Sequence, residues 1–237
     1  MFFLGMMLVP IFFYFYKNRE PISSIIRRKM IQSKKRFWAK DNISDFVNYK
    51  DKEKLIKETA KAFENVLKSL LIDYENDPNS KDTPKRLAKM YINELMAGRY
   101  DPRPPVVSFP NSNAYKGMLV VRSEFTSMCS HHHQPVSGVA HIGVMIRNKL
   151  IGLSKYSRIV QWYAGRGTLQ EELCKDIAED ISETTETKNV AVHIKATHGC
   201  CENRGIMSSD SSTQTSVFMG KFIKDRIKKD FFEQVKS

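Results

Sequence analysis

Two short clusters of cysteine and histidine constrain the fold of this chain more than any other feature of its sequence. The first is Cys129–His132 (CSHH), and the second, much later in the chain, is His198–Cys200 (HGC). Thiolate and imidazole are ligands that zinc prefers, and a site with three protein ligands leaves a fourth position open for water. A fold that joins the two clusters would therefore build a catalytic metal site.

The natural set of metal ligands is Cys129, His132 and Cys200. A run of three histidines alone is typical of exposed surface residues without a function, but a thiol within chelating reach of them favours metal binding. Spacing does not exclude Cys201 and His133 as rival ligands. The sequence thus predicts a zinc site and leaves two alternative ligands open.

Two other histidines of the clusters, His131 and His198, stay free under this assignment. Imidazole is the side chain that most readily exchanges a proton near neutral pH. We therefore expect both residues to lie beside the metal and to act as catalytic acids or bases.

Composition favours one medium domain with an extension, or two small domains. The chain has 237 residues, of which 41% are hydrophobic and 27% are charged, as is ordinary for a soluble fold. Four cysteines are too few for a disulfide scaffold, and two of them, Cys200 and Cys201, are adjacent. We therefore expect a reducing compartment, with the cytoplasm as the location.

The first forty residues differ in composition from the rest of the chain. Residues 1–16 carry no charged side chain, whereas residues 17–40 carry nine Lys and Arg against one acidic residue and so hold most of the net charge of +12. The apolar run is shorter than the roughly 20 residues that span a bilayer. A membrane tether, an organelle-targeting leader and a later start at Met30 are all compatible with it.

We accordingly expect residues 1–40 to form an arm, whether tether, leader or disordered, and residues 41–237 to form the catalytic domain. Membrane contact through the arm is an open alternative to a purely cytoplasmic location. Because the remainder of the chain is nearly balanced in charge, we expect no nucleic-acid partner.

Hydrophobic periodicity and turn residues predict helices around a sheet. The predicted helices span 51–72, 83–98, 154–164, 169–184 and 221–235. The predicted strands span 117–128, 138–146, 149–152, 189–197 and 213–218. Thr83 and Ser154 are the predicted N-caps, and Gly98 is the predicted end of the second helix. Short connections between the strands indicate an α+β fold with a largely antiparallel sheet flanked by helices.

A second constellation, which follows a glycine turn, is typical of a phosphate site. The turn leads into a helix that begins with Ser154, Lys155 and Arg158. Cations are poorly placed at a helix N-terminus unless an anion neutralises them, so the pattern favours an anionic ligand. Arg86 and Arg204 could reach the same anion in the folded protein or in its oligomer.

The dipeptide Gln170-Glu171 is a candidate guanine site. A carboxylate matches guanine well, because the N1–H and N2 amino donors of that base lie side by side. Taken alone, Glu171 in the first turn of a helix would be interpreted as an acidic residue that only interacts favourably with the helix dipole. The metal and phosphate motifs on either side of the dipeptide favour the functional interpretation.

Together these motifs closely resemble the GTP cyclohydrolase I family over roughly residues 50–223. The motifs are DTPKRLAKMY at 82–91, CSHH at 129–132, GLSK at 152–155, RIV at 158–160, QE at 170–171, HGC at 198–200 and RG at 204–205. The resemblance implies a T-fold subunit in a toroidal homodecamer with active sites at subunit boundaries. It also implies conversion of GTP and water to 7,8-dihydroneopterin triphosphate and formate, the first step toward folates or tetrahydrobiopterin.

The resemblance further implies a role for each candidate residue. A zinc-bound water would attack C8 of the purine. The zinc ligands would be Cys129, His132 and Cys200. The proton carriers would be His131 and His198. The guanine would be held by Gln170 and Glu171, with the ribose near Ser154. The triphosphate would be held by Lys155, Arg158, Arg204 and, from a neighbouring subunit, Arg86.

The chain departs from the family pattern in the first cluster and near the guanine pair. Ser130 stands where the family usually has Glu, His133 stands where it has an apolar residue, and Glu172 replaces an Arg. We expect catalysis because every implied ligand is kept, with proton transfer slowed by the loss of the Glu. The alternative is a catalytically impaired homologue acting as a regulatory or structural subunit of the ring. A weaker rival is a membrane or nucleic-acid adaptor that works through the basic arm.

Overall fold

The computed structural model describes residues 20–236. The helices are α1 (Ile22–Gln32), α2 (Tyr49–Ser69), α3 (Thr83–Met90), α4 (Ala97–Tyr100), α5 (Leu153–Ala164), α6 (Gln170–Thr184), α7 (Gly199–Glu202) and α8 (Asp225–Lys236). The strands are β1 (Ser108–Pro110), β2 (Met118–Cys129), β3 (Pro135–Met145), β4 (Lys149–Ile151), β5 (Gly167–Thr168), β6 (Val190–His198) and β7 (Thr213–Phe218). Shorter helical turns span Ser44–Phe46, Tyr91–Leu95 and Gly220–Ile223.

A five-stranded sheet in the order β5-β2-β3-β6-β7 is the centre of the fold. The pairs β2–β3, β3–β6 and β6–β7 are antiparallel, and the short strand β5 alone among these neighbours runs parallel to its partner β2. A separate two-stranded ribbon joins β1 to β4. The structure thus confirms the α+β class with a largely antiparallel sheet flanked by helices, as a T-fold requires.

Helices α5 and α6 cover one face of the sheet and form the main core with it. Ile159 on α5 and Leu173, Ile177 and Ile181 on α6 are almost wholly buried against residues of β3 and β6 such as Ile142. Burying each such side chain stabilises the fold by about 1.5–3 kcal/mol. The predicted apolar stripe of α6 is therefore the face that docks on the sheet.

Helix starts are where the structure departs most from the sequence-based prediction. The predicted N-cap Thr83 is the first residue of α3, and Asp82 precedes it as the cap. Likewise Ser154 lies inside α5, because the backbone of Gly152 is still extended and is the N-cap. Both predictions were wrong by one or two residues, since a cap depends on backbone angles that composition does not report.

Gly98 does not end a helix, as its sequence context predicts, but lies buried within α4. A Cβ atom added to Gly98 would lie only 1.9 Å from the carbonyl oxygen of Trp162 on α5. The glycine is thus required by the close approach of two backbones rather than by helix termination.

The described part of the basic segment packs against the remainder of the fold. Ile26 and Met30 of α1 are buried with Ile43 and Val47, so packing continues across the composition boundary at residue 40. Within residues 20–236, no helix is long and apolar enough to cross a membrane. The apolar run at 1–16, interpreted above as a tether or leader, lies outside the described residues.

Candidate active site

The two clusters meet at one end of the sheet because of strand order. Cys129 ends β2, His132 lies in the turn to β3, and Cys200 lies in α7 directly after β6. Since β3 pairs with both β2 and β6, the turn and the end of β6 share one edge. One ligand atom from each of the three residues lies within 4.8 Å of the others.

The tight turn after β6 depends on a small residue between the histidine and the cysteine. A Cβ atom added to Gly199 would come within 3.0 Å of the carbonyl oxygen of Pro135, at the start of β3. A larger residue would push α7 away from that strand. The spacing of the second cluster therefore sets how close Cys200 lies to the first.

The chemistry of this Cys–His–Cys group fits a soft or borderline divalent cation. Burial, together with the neighbouring thiol of Cys129, raises the pKa of Cys200 to about 11. A thiol whose pKa is raised in this way is stabilised as the thiolate when a cation supplies the compensating charge. The group is thus suited to a metal ion, and its donor set is one that zinc takes.

The two rival metal ligands, Cys201 and His133, do not belong to this group of three residues. The ring of His133 packs against Tyr91 with the centroids 5.7 Å apart, and its backbone has a φ of +52°. Tyr91 in turn contacts Phe63 on α2, at 5.3 Å between centroids. An aromatic stack of Phe63, Tyr91 and His133 therefore braces the turn that carries His132, a role that the sequence analysis missed.

A cavity of about 230 Å³ adjoins the group. It is lined by both free histidines, the candidate guanine pair and both cysteines of the group, namely His131, His198, Gln170, Glu171, Cys129 and Cys200. The structure thus brings the predicted proton carriers and the guanine pair to the predicted metal site.

The short strand β5 explains how the guanine pair reaches the metal site. Thr168 pairs with Cys129 in the parallel β5–β2 ladder, and α6 begins two residues later at Gln170. The sequence analysis missed β5, because two residues are too few to show a hydrophobic period. Its only sequence signal is the glycine at its start.

The side chain of Gln170 has partners other than those expected for a guanine contact. It is 5% exposed, and its Oε1 lies 2.8 Å from His198 Nε2. Its Nε2 faces oxygen atoms of β6 and β7. Glu171, by contrast, is exposed on the first turn of α6.

Arg204 is the predicted triphosphate ligand that lies closest to the metal group. Its Nη1 donates to His132 Nε2 at 3.1 Å. Neither Arg204 nor the other three predicted triphosphate ligands line the cavity beside the cysteines, and the same holds for Ser154, which is predicted to lie near the ribose. Ser154 and Arg158 are exposed on α5, Lys155 Nζ donates to the carbonyl of Pro105 at 3.2 Å, and Arg86 is exposed on α3.

Comparisons with known proteins identify the family of this chain. The family model described as GTP cyclohydrolase I matches residues 59–236. The "GTP cyclohydrolase 1" of Flavobacterium johnsoniae is 37% identical over 81% of this chain and 86% of its own length. That of Aeromonas salmonicida is 40% identical over 66% of this chain and 72% of its own length.

A likeness to one solved structure is much weaker. The apo archaeosine synthase QueF-Like is 18% identical, with a TM-score of 0.38, and covers 45% of this chain and 96% of that chain. The family match and the two relatives, taken with the Cys–His–Cys group, show that this chain belongs to the GTP cyclohydrolase I family.

Proposed function

We propose that this protein is a zinc-dependent GTP cyclohydrolase, which hydrolyses and rearranges GTP to 7,8-dihydroneopterin triphosphate and formate. The observation that carries the proposal is the convergence of a Cys–His–Cys group, two further histidines and an exposed carboxylate on one cavity. Relatives that bear the name GTP cyclohydrolase 1 cover most of the chain.

The proposed ligands Cys129, His132 and Cys200 fit Zn²⁺, whose chemistry when bound is to acidify water and polarise the reacting bond. His131 and His198 line the same cavity and would take up and release protons as the imidazole ring of the purine opens and formate leaves. The site therefore has separate residues for holding the metal and for moving protons.

Glu171 is the proposed guanine ligand. Its carboxylate is exposed at the start of α6 and lines the cavity, so it can accept from guanine N1–H and the N2 amino group together. Such a paired contact selects guanine over adenine, which lacks both donors. Ser154 is proposed to lie near the ribose.

The triphosphate contacts are proposed to be shared between subunits. Arg204 lies beside His132, whereas Lys155, Arg158 and Arg86 lie on other helices and do not line the cavity of their own chain. A homo-oligomer, for which we propose the family's toroidal decamer, would bring Arg86 of one subunit to the triphosphate at the next. The four cysteines of the chain form no disulfide, which suits a reducing compartment such as the cytoplasm.

The alternative of a catalytically impaired homologue depends on the departures at Ser130 and Glu172. The carboxylate of Glu172 lies 3.1 Å from Lys40 Nζ, and Lys40 also lies 3.7 Å from Asp176. Glu172 thus holds the N-terminal segment against α6. This ion pair gives the changed residue a structural partner, while the departures at Ser130, Gly167 and Thr168 still support the alternative.

The test is turnover of GTP by the purified full-length chain. Formate release and pterin fluorescence after oxidation would be followed before chelation, after chelation and after zinc is restored. We expect turnover that is lost with the metal and recovered with zinc. Bound zinc and tight GTP binding without any turnover would establish the impaired homologue instead.

A further inference from the structure

The side chain of Gln170 uses all its polar atoms inside the chain. Its Nε2 lies 3.3 Å from the carbonyl oxygen of Ile194 and 3.1 Å from that of Thr213. The hydroxyl of Thr215 lies 3.2 Å from the same nitrogen. Its Oε1 lies 2.8 Å from His198 Nε2. Only 5% of the residue is exposed, and both polar atoms of this side chain have partners within the chain.

These partners determine which way the amide of Gln170 faces. Carbonyl oxygens only accept hydrogen bonds, so the NH₂ group must face Ile194 and Thr213. A flipped amide would place Oε1 against two carbonyl oxygens in a buried site and leave both carbonyl groups without a donor, which is unfavourable. The oxygen of the amide therefore faces His198.

The orientation of the amide in turn determines where His198 carries its hydrogen. An amide oxygen can only accept, so the Nε2 atom of His198 must donate. In the neutral ring the lone pair then lies on Nδ1. Of the two ring nitrogens, Nδ1 is the one left to accept a proton from a reacting group.

We infer that Gln170 is a positioning residue that holds His198 in the Nε2–H tautomer, and that it does not bind guanine through its side chain. The inference rests on the proposed function, in which His198 moves protons. It divides the dipeptide between two tasks. Both residues line the cavity, but Gln170 is buried and hydrogen-bonded to His198, β6 and β7, whereas the next residue, Glu171, is exposed.

The neighbouring Glu171 supplies a matched control for steady-state kinetics. Gln170→Met keeps the volume of the side chain but removes the acceptor, so we expect kcat to fall about 10- to 100-fold with KM for GTP changed less than about threefold. Glu171→Gln should instead raise KM about 10-fold or more. Zinc content should remain that of the unmodified protein in both variants.

A conservative variant separates positioning from a merely structural role. Gln170→Glu keeps an oxygen acceptor for His198 but loses the amide donors to β6 and β7. We expect it to recover at least about 10-fold of the kcat lost in Gln170→Met. The inference is overturned if the two variants are equally slow, or if Gln170→Met raises KM as Glu171→Gln does.

Neutron diffraction of the unmodified, deuterium-exchanged protein tests the tautomer without any variant. We expect deuterium on His198 Nε2, and deuterium on Nδ1 alone would overturn the inference even if the variants fail to fold. Absence of GTP turnover in the unmodified protein would refute the proposed function, whereas the position of the deuterium would still decide the Gln170–His198 contact.

Discussion

The metal half and the triphosphate half of the proposed site differ in how much of each a single chain assembles. The metal half comprises Cys129, His132 and Cys200, whose ligand atoms already lie within 4.8 Å of one another. The triphosphate half includes Arg86 and Arg158, which are exposed on separate helices and do not line the cavity beside that group. One chain thus builds the first half and leaves the second incomplete.

The reason for this difference is the kind of element that carries each set. The metal ligands lie at strand ends, where the β2–β3 and β3–β6 ladders set their separation. Three of the four proposed triphosphate residues, namely Arg86, Lys155 and Arg158, lie on α3 and α5, whose surroundings in an oligomer would differ from those in the single chain. We expect the metal half to withstand changes elsewhere and the triphosphate half to depend on assembly.

The largest expected effect comes from removing one ligand of the metal half. Cys200→Ser should lose the metal and lower kcat/KM by about 1,000-fold or more, because a hydroxyl is a poor substitute for a thiolate. Cys201→Ser is the matched control and should keep both metal and activity. Elemental analysis and GTP turnover measure the two effects, and the reverse pattern would mean that the ligand assignment is wrong.

Arg86→Ala tests whether the triphosphate half is completed by another subunit. It should raise KM for GTP about 10- to 100-fold while leaving the zinc content unchanged. Lys89→Ala, on the same helix, is the control for loss of a positive charge. Both are measured by steady-state kinetics.

Co-expression sharpens the same test. Arg86→Ala and Cys200→Ser chains damage different halves, so hybrid oligomers should contain some sites with both halves intact. Tagged hybrids purified after co-expression should show more activity than either variant alone. Activity no higher than that of the two parents would show that Arg86 serves the site of its own chain.

A smaller effect is expected from the aromatic stack that braces the ligand turn. Tyr91→Leu removes the ring between Phe63 and His133, so the turn that carries His132 should be held less firmly and zinc affinity should fall about 10-fold. Tyr91→Phe keeps the ring and should bind zinc as the unmodified protein does. Competition with a chromogenic chelator measures the affinity, and equal values for the two variants would exclude the stack as a support.

The sequence predicted that the three proposed metal ligands lie close together, because the information for this is local. The short motifs CSHH and HGC indicate which side chains a single turn can bring together. The alternation of hydrophobic and polar residues over Val190–Ala196 predicts a strand. The same pattern could not separate Cys200 from Cys201. That distinction depends on which way each thiol points from α7, a matter of backbone geometry.

The roles of Gln170, Glu172 and His133 could not be predicted for a different reason. Each depends on a partner distant in the chain, namely His198, Lys40 and Tyr91. Composition and period report which face of an element is buried, but they do not report which residue it meets there. The family resemblance supplied a role for Gln170 that its buried contacts do not favour.

The smallest expected effect lies away from both halves, on the sheet that positions the metal ligands. His141 and His193 pair across β3 and β6 with their rings 6.3 Å apart. Burial lowers the pKa of both, and the positive charges of His193 and Arg122 lower that of His141 further. Within the described residues, His141 Nδ1 is buried without a hydrogen-bond partner.

The folded state therefore binds fewer protons at these two sites than the unfolded chain does below the ordinary histidine pKa of 6.5. The free energy of unfolding should fall as the pH drops below that value. Urea unfolding between about pH 7.5 and 5.5 measures the slope. Replacing His141 and His193 by Gln should flatten it, and because the double variant keeps the metal ligands, the difference in slope isolates this pair. Equal slopes for the two proteins would show that the sheet is insensitive to protonation of these imidazoles.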